Sequence, residues 1–192
     1  MPELAEVKIM SEYINYVSKD ETYVDVKKSE KNKNPNISVP YKEFKIYSFS
    51  RGKELMLVIE DVKTKKEKRF LMGMGMSGNW VFIEKGNVPK HSHIIFESLS
   101  GGKLCMYDVR RFSRWKESNG WSDNRGPCML TEWDDFVDNL HNNSHKKIFD
   151  KPIYELMLDQ KYFNGMGNYL RAEILDRADQ DPFVSSREAI KN

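Results

Sequence analysis

Six short runs rich in β-branched and aromatic residues constrain the fold of this chain more than any other feature. Turn formers such as Gly86-Asn87 and Ser100-Gly101-Gly102 separate the runs. Their spacing is typical of an antiparallel sandwich or barrel. The runs cover residues 22–26, 45–49, 54–60, 80–84, 94–97 and 103–107. Ahead of them, apolar residues recur at steps of three or four and predict a helix from about residue 3 to residue 17.

The second part of the chain has helical signals instead. Composition changes at 120–127, and Thr131 with Asp134 then forms a plausible capping pair. Further helices are predicted after Pro152, near Asn168 and near Ser185. The fold class is therefore α+β. We predict an amino-terminal helix with an antiparallel β-sandwich over residues 1–125 and a helical domain over residues 126–192.

Composition excludes several protein classes. Hydrophobic residues make up 39% of the 192 residues, which is too apolar for a disordered chain. No apolar run approaches the roughly 18 residues of a membrane helix. Cys105 and Cys128 lack the Cys-x-x-Cys spacing of a zinc site. We therefore expect a reduced intracellular protein with no membrane segment and no bound metal.

The charge distribution is more informative than the net charge of +2. Basic residues are concentrated in 61–69 and 108–117, whereas acidic residues are concentrated in 132–138. Such segregation permits one basic face, which is what phosphate neutralisation requires. Solvated charges on turns and helix surfaces are the open alternative for 61–69.

The first residues offer a candidate nucleophile. Removal of Met1 would leave Pro2 with a terminal secondary amine beside Glu3. A terminal amine has a reference pKa near ~8, so more of it is neutral at physiological pH than of a lysine. A neutral amine can attack a carbonyl-like carbon and form a Schiff base. A Met-Pro start without any function is the open alternative on these residues alone.

Residues 73–78 read Gly-Met-Gly-Met-Ser-Gly and match the G-x-G-x-x-G pattern of dinucleotide sites. That fingerprint requires a following helix, and residues 79–83 predict a strand instead. We therefore reject a dinucleotide site.

Five runs, in this order and at compatible spacings, resemble the formamidopyrimidine-DNA glycosylase / endonuclease VIII family of base-excision repair enzymes. The resemblance covers most of the chain and implies that the second domain is of the helix–two-turn–helix type. The runs are 2–7 (PELAEV), 51–53 (RGK), 75–78 (GMSG), 108–112 (DVRRF) and 159–173, which contains GMGNY.

The resemblance implies a catalytic set. Pro2 is the nucleophile, Glu3 is the general acid, and Lys53 is the catalytic-site lysine that contacts the phosphate beside the lesion. Glu6 and Glu173 support the active site near the terminal amine. A solvent-facing Glu6 and a solvated Lys53 are the alternatives that the residue types themselves allow.

The resemblance also implies a DNA-binding set. Met76, Arg110 and Phe112 enter the duplex where the damaged nucleotide has left the stack, with Phe112 as the wedge. Arg111 and Asn168 bind phosphate. The open alternatives are a locally packed methionine turn, a core position for Phe112, and a simple N-cap role for Asn168.

Three departures from the family pattern stand out. Gly73 occupies a position where the family often has a histidine, and Ala5 occupies one that usually holds proline or glycine. The further helices and the zinc or zincless finger of the family do not occur in these 192 residues. We therefore expect a shortened member without a cofactor, in which DNA binding or activity is impaired.

The resulting hypothesis is a DNA glycosylase that removes oxidised bases and cleaves the strand as an abasic-site lyase through a Pro2 Schiff base. Its partner is damaged DNA, no membrane is involved, and we expect a monomer located at DNA in the nucleus or cytoplasm. The alternatives are a non-catalytic DNA-binding or damage-sensing module of the same fold, and a β-sandwich with no nucleic-acid role.

Overall fold

The computed structural model describes residues 1–191, so that Asn192, which closes the predicted second domain, lies outside the described residues. The chain forms two compact units. The first comprises Met1–Ser50 and Glu54–Trp121, and the second comprises Arg51–Lys53 and Ser122–Asn192. Among residues 1–191, no helix combines the length and the apolar character that a bilayer crossing requires.

The predicted amino-terminal helix is confirmed. Helix α1 covers Leu4–Ser18 and buries Leu4, Val7 and Ile14 on one face. Glu3 precedes it as the N-cap, and Glu3 N donates to Glu6 Oε2 over 2.9 Å in a capping box. This bond satisfies a backbone N–H at the helix start, a place where such groups lack intrahelical partners.

Eight strands of the first unit form one sheet in the order β5-β7-β6-β1-β2-β3-β4-β8. Helix α1 packs against both β3 and β5, which belong to opposite halves of this sheet. The sheet therefore folds over on itself around one core, and the predicted α+β class with an antiparallel sandwich is confirmed. The strands are β1 Tyr23–Lys28, β2 Phe44–Arg51, β3 Glu54–Asp61, β4 Glu67–Gly73, β5 Asn79–Ile83, β6 Ser92–Ser98, β7 Lys103–Tyr107 and β8 Arg114–Glu117.

Aromatic rings make up the middle of this core. The ring of Phe96 lies 6.2 Å from the rings of both Tyr23 and Phe44, and 6.5 Å from that of Trp80. All four side chains are buried. Rings at such separations add to the free energy gained from burial alone.

Two strands, β4 and β8, were missed by the sequence prediction. Strand β4 begins with Glu67, Lys68 and Arg69, and β8 is charged except for the buried Trp115. Charged residues, three in a row in β4 and three of four in β8, conceal strands that lie at the sheet edge or next to it, where one face remains in water.

The second unit is helical and has a separate core. Its helices are α2 Trp133–Asn143, a 3₁₀ helix Lys147–Asp150, α3 Ile153–Leu156, α4 Asn168–Arg177 and α5 Ser186–Ala189. Phe149, Leu156 and Met166 are buried in the core of this unit. Glu132, rather than the predicted Thr131, is the N-cap of α2. Its carboxylate also accepts from Arg51 Nε over 2.7 Å and from Cys128 N over 2.8 Å.

Polar contacts fix α1 to strand β2. Asn15 Nδ2 donates to Ser48 O over 2.9 Å, and Ser48 N donates to Asn15 Oδ1 over 2.7 Å. The hydroxyls of Ser11 and Ser48 lie 3.0 Å apart in the same interface. The orientation of the first helix, and with it the position of the amino end, depends on this pair of strand contacts.

We expect Asn15→Ala to lower the free energy of unfolding by about 1–3 kcal/mol, because it leaves the N–H and C=O of Ser48 without their partner. Urea unfolding measures the effect. Tyr16→Ala is the matched control, since Tyr16 lies on the same helix with 82% of its surface exposed. An Asn15→Ala protein as stable as this control would contradict the proposed anchoring.

Candidate nucleic-acid interface

The amino end of the chain is held by the first turn of α1. Glu3 is 2% exposed, Pro2 is half-buried, and the side chain of Met1 is 54% exposed. Glu6 is exposed and binds the backbone of Glu3. The structure thus brings together the three predicted residues of the opening run and fixes the backbone at Pro2 through the helix cap.

Met76, Arg110 and Phe112 meet at the surface of the first unit and are referred to below as the exposed trio. Arg110 Nη1 lies 3.3 Å from Met76 Sδ, and Arg110 Cζ lies 4.8 Å from the centre of the Phe112 ring. Met76 is 48% exposed and Phe112 is 47% exposed. A core position for Phe112 is therefore wrong, whereas local packing of the methionine turn stays open, since Met74 is buried and Met76 contacts Arg110. An arginine between two exposed apolar side chains suits contact with base faces and base edges.

A buried carboxylate holds the two loops that carry the exposed trio. Asp108 is fully buried, and it accepts hydrogen bonds from Ser77 Oγ, from Ser113 Oγ and Ser113 N over 2.7 Å each, and from Arg110 N over 3.1 Å. Ser77 belongs to the loop after β4, and the other donors belong to the loop after β7. One carboxylate therefore ties the loop of Met76 to the loop of Arg110 and Phe112.

The environment of Asp108 favours its charged form. Burial by itself raises the pKa of Asp108, but the hydrogen bonds from Ser77, Ser113 and Arg110 outweigh it and lower the pKa below its ordinary value. Donors that bind a carboxylate stabilise the ionised state, so the tie between the loops is a charge-assisted one.

His93 packs beneath this carboxylate residue. The ring is 3% exposed, and its Nε2 lies 2.9 Å from the backbone oxygen of Asp108. The imidazole therefore supports the start of the loop that carries Arg110. Neighbouring residues in the sequence gave no signal for this contact.

Glycine allows the two loops to approach closely. Gly75 has φ of +60°, and a Cβ there would lie 2.6 Å from the carbonyl carbon of Phe112. Only glycine adopts this backbone conformation and leaves room for the neighbouring chain at the same time. The expected G-x-G-x-x-G turn therefore joins two strands and serves loop packing.

Arg111 also lies on this surface, with an exposed side chain. Its φ is +57°, and its N–H donates to the backbone oxygen of Asp108 over 3.3 Å. The left-handed backbone turns the chain between Arg110 and Phe112. The phosphate-binding role implied for Arg111 stays a prediction.

The second unit brings together two of the family-like runs, 51–53 and 159–173. Gly52 has φ of +57°, and a Cβ there would collide with the side-chain amide of Asn164. Lys53 Nζ donates to Met166 O over 2.6 Å, and Gln160 Nε2 donates to the same oxygen over 3.0 Å. Lys53 is thus positioned by the loop before α4, and its catalytic role stays a prediction.

Asn168 and Glu173 both lie on α4 and are exposed. Gly167 is the N-cap of this helix, so the simple N-cap alternative for Asn168 is wrong. The Asn168 side chain instead accepts from Arg171 Nη2 over 3.0 Å. Glu173 Oε1 accepts from Arg177 Nε over 2.6 Å. The roles implied for Asn168 and Glu173 stay predictions.

The basic segment 61–69 has a structural explanation. Lys65 pairs with Glu60, Lys68 pairs with Glu117, and Arg69 pairs with Glu67, at distances of 2.7–3.0 Å. Surface pairs of this kind largely cancel the local charge. This result favours the solvated-surface interpretation of the segment over a phosphate-binding one.

Cys105 and Cys128 are both buried free thiols. Burial raises the pKa of the Cys105 thiol, which keeps it in its unreactive form. Within residues 1–191, no group of three or more His, Cys, Asp or Glu side chains has the arrangement to hold a metal ion.

Comparison with known proteins identifies the family. The profile of the formamidopyrimidine-DNA glycosylase N-terminal domain matches residues 1–115. This chain belongs to the formamidopyrimidine-DNA glycosylase family. The matched range contains the opening run, the loop of Met76 and the loop of Arg110 to Phe112.

Individual relatives agree with this assignment. Endonuclease 8-like 1 from Homo sapiens is 35% identical over the whole chain, and so is the protein of that name from Mus musculus. Formamidopyrimidine-DNA glycosylase from Zymomonas mobilis is 29% identical over 95% of the chain and 68% of its own length. The chain spans about half the length, 51%, of the human and mouse relatives.

We expect Asp108→Asn to destabilise the first unit by about 1.5–3 kcal/mol at pH 7, because an amide presents donors to groups that are themselves donors. Because the pKa of folded Asp108 is lowered, its stabilising effect is present above the unfolded pKa of about 3.9 and is lost as pH falls through the folded pKa. The difference in the free energy of unfolding between the unaltered protein and Asp108→Asn should therefore become smaller as the pH is lowered.

Urea unfolding at pH 7 and at about pH 2–3, below the unfolded pKa, measures this gap. The control is Asp20→Asn, which removes an equal charge from an exposed residue of the same unit. A gap that stays constant between the two pH values would contradict an ionised Asp108 as the tie between the loops.

We expect Gly75→Ala to cost at least about 1–2 kcal/mol, because alanine is strained at positive φ and its methyl group would overlap the Phe112 backbone. Gly73→Ala is the matched control, since a Cβ at Gly73 meets nothing within 4 Å. Thermal unfolding measures both. Equal melting temperatures for the two variants would show that the loops do not require the close approach.

Proposed function

We propose that this protein is a DNA glycosylase of base-excision repair that removes oxidised bases and then cleaves the strand as an abasic-site lyase. The observation that carries the proposal is the exposed trio, in which two apolar side chains at 48% and 47% exposure flank an arginine. Exposed apolar groups beside a cation have a physical purpose where they replace a nucleotide in a base stack.

The relatives support the same class. The match to the formamidopyrimidine-DNA glycosylase N-terminal domain spans residues 1–115, and the names of the relatives refer to glycosylase and endonuclease proteins. Because the chain spans about half of the human relative, the activity of the whole relative is carried to this chain as a proposal.

The proposed nucleophile is the secondary amine of Pro2 after removal of Met1. Its lone pair forms a bond to C1′ of the flipped nucleotide, and the bond from C1′ to the base breaks with its electron pair on the leaving base. The ammonium formed in this attack loses its proton, which restores the lone pair of the nitrogen. That lone pair then forms the C1′=N bond of an iminium cation as the bond between C1′ and the ring oxygen breaks and Glu3 donates a proton to this oxygen.

The iminium makes the proton on C2′ acidic, and its loss expels the 3′ phosphate and cleaves the strand. A second elimination removes the 5′ phosphate. Glu6 supports the site around the amine in this proposal. Glu3 and Glu6 are already joined by the helix cap, so the acid next to Pro2 has a fixed backbone position.

DNA binding divides into two kinds of contact. The exposed trio fills the space left by the flipped nucleotide, whereas Lys53, Arg111 and Asn168 bind phosphates. Lys53 donates to the Met166 carbonyl in this structure, and its ammonium group supplies the positive charge that attracts a phosphate oxygen. The proposed chemistry uses side chains and the terminal amine without a cofactor, and it requires a single copy of the chain.

Borohydride trapping tests the mechanism, because it reduces the iminium to a stable protein–DNA adduct. We expect an adduct with a duplex that contains an abasic site. We expect none after Pro2→Gly, and none from a protein whose amino-terminal extension holds Pro2 in an amide, since an amide nitrogen has no available lone pair. The adducts are counted on a denaturing gel.

Ala5→Gly is the matched control, because it adds comparable backbone freedom one helical turn from the amine and leaves Pro2 in place. Normal trapping by the Pro2→Gly protein would end this mechanism. A protein that binds the abasic duplex without ever giving an adduct would instead support the non-catalytic DNA-binding alternative.

A further inference from the structure

A second feature of the first unit lies next to the exposed trio. The loop between β1 and β2 and the loop before β8 enclose a pocket of about 290 Å³. The pocket shares Arg110 and Phe112 with the trio. Its lining residues are Lys31, Asn32, Lys33, Arg110, Arg111, Phe112 and Arg114.

The lining of this pocket has an unusual charge. Five of its residues are cationic and none is acidic. Among residues 1–191, none of these five side chains takes part in an ion pair with a carboxylate. Segment 61–69 shows the opposite pattern, because Lys65, Lys68 and Arg69 are all paired there. Like charges that share a small pocket repel one another, and an anion relieves that repulsion.

The loop between β1 and β2 is held at the pocket by specific bonds. Asn34 Nδ2 donates to Ser113 O over 2.9 Å, and Trp115 Nε1 donates to Pro35 O over 2.8 Å. Asn32 is 4% exposed, and its Oδ1 accepts from Asn34 N over 2.9 Å. These bonds fix the backbone on which Lys31 and Lys33 stand, so two exposed lysines are presented to the pocket by an ordered loop.

Arg114 is oriented in the same way. Its Nη1 donates to Arg111 O over 3.1 Å and to Ser113 O over 2.9 Å. Ser113 is in turn bound by the carboxylate of Asp108. The cations of the pocket and the exposed trio therefore stand on one hydrogen-bonded framework.

We propose that this pocket binds a phosphodiester of the DNA backbone next to the point where the exposed trio enters the duplex, with Lys31, Lys33 and Arg114 as additional phosphate-binding residues. The proposal rests on the proposed function, since it assumes that the trio contacts DNA. It adds the loop between β1 and β2 to the DNA-binding surface. A phosphate in the pocket would fix the register of the backbone while Arg110 and Phe112 contact the bases.

The test is the salt dependence of DNA binding by Lys31→Gln/Lys33→Gln. Each neutralised phosphate contributes about 0.9 to the slope of log K against log salt for duplex DNA, so we expect the slope to become shallower by about 1. Affinity should fall by the same factor for an intact duplex and for one that holds a tetrahydrofuran abasic-site analogue, because phosphate contacts carry no sequence information. Fluorescence anisotropy over a range of salt concentrations measures both quantities.

Lys63→Gln/Lys66→Gln is the matched control. It removes the same charge from two exposed lysines in the turn between β3 and β4. This turn precedes β4, whereas Arg114 of the pocket pairs with Gly73 at the opposite end of that strand. We expect its slope to equal that of the unaltered protein. Equal slopes for the two double variants, with DNA binding intact in the unaltered protein, would overturn the pocket assignment and leave the proposed function standing. Failure of the unaltered protein to bind DNA would overturn both.

A second arm distinguishes DNA phosphate from free phosphate. We expect no saturable binding of inorganic phosphate to the unaltered protein by isothermal titration calorimetry at millimolar concentration. Saturable phosphate binding that is lost in Lys31→Gln/Lys33→Gln, together with an unchanged DNA salt slope, would make the pocket a free-anion site and overturn the proposal.

Discussion

The buried carboxylate of Asp108 is the interaction on which the candidate interface depends. It accepts from two serine hydroxyls and two backbone N–H groups, and these donors belong to two loops that are distant in sequence. The cost of burying a charge is offset because several donors surround it. The carboxylate therefore helps to hold together the loops that carry Met76, Arg110 and Phe112.

Part of this organisation could be predicted from the sequence, because it is local. Apolar periodicity predicts α1, and the runs rich in β-branched and aromatic residues predict six of the eight strands. Strands β4 and β8 were missed since their charged residues conceal the buried Phe70, Met72 and Trp115. The cap of α4 was also missed: Gly167 takes the extended conformation before the helix, so that Asn168 is already inside it. Caps are decided by backbone angles that residue types alone do not fix.

The resemblance of short motifs to a known family predicted the residues of the candidate interface. It did not predict the residues whose hydrogen bonds hold those side chains in place. It selected Met76, Arg110 and Phe112, which the structure brings together. It did not select His93 or Asn34, because their contacts join positions 15 and 79 residues apart in the chain. Support of this kind depends on the register of several strands. The charge of segment 61–69 also depends on partners that are distant in sequence, since Lys68 pairs with Glu117 of β8.

The two methionines of the turn after β4 differ in a way that has a chemical consequence. Met74 is 2% exposed, whereas Met76 is 48% exposed and contacts Arg110 through its sulfur. Peroxide converts an accessible thioether to a sulfoxide, which is polar and bulkier, and a reductase can reverse the change. Oxidative conditions would therefore modify both the nucleobases that this surface is proposed to contact and Met76, the side chain proposed to fill the space of a flipped nucleotide.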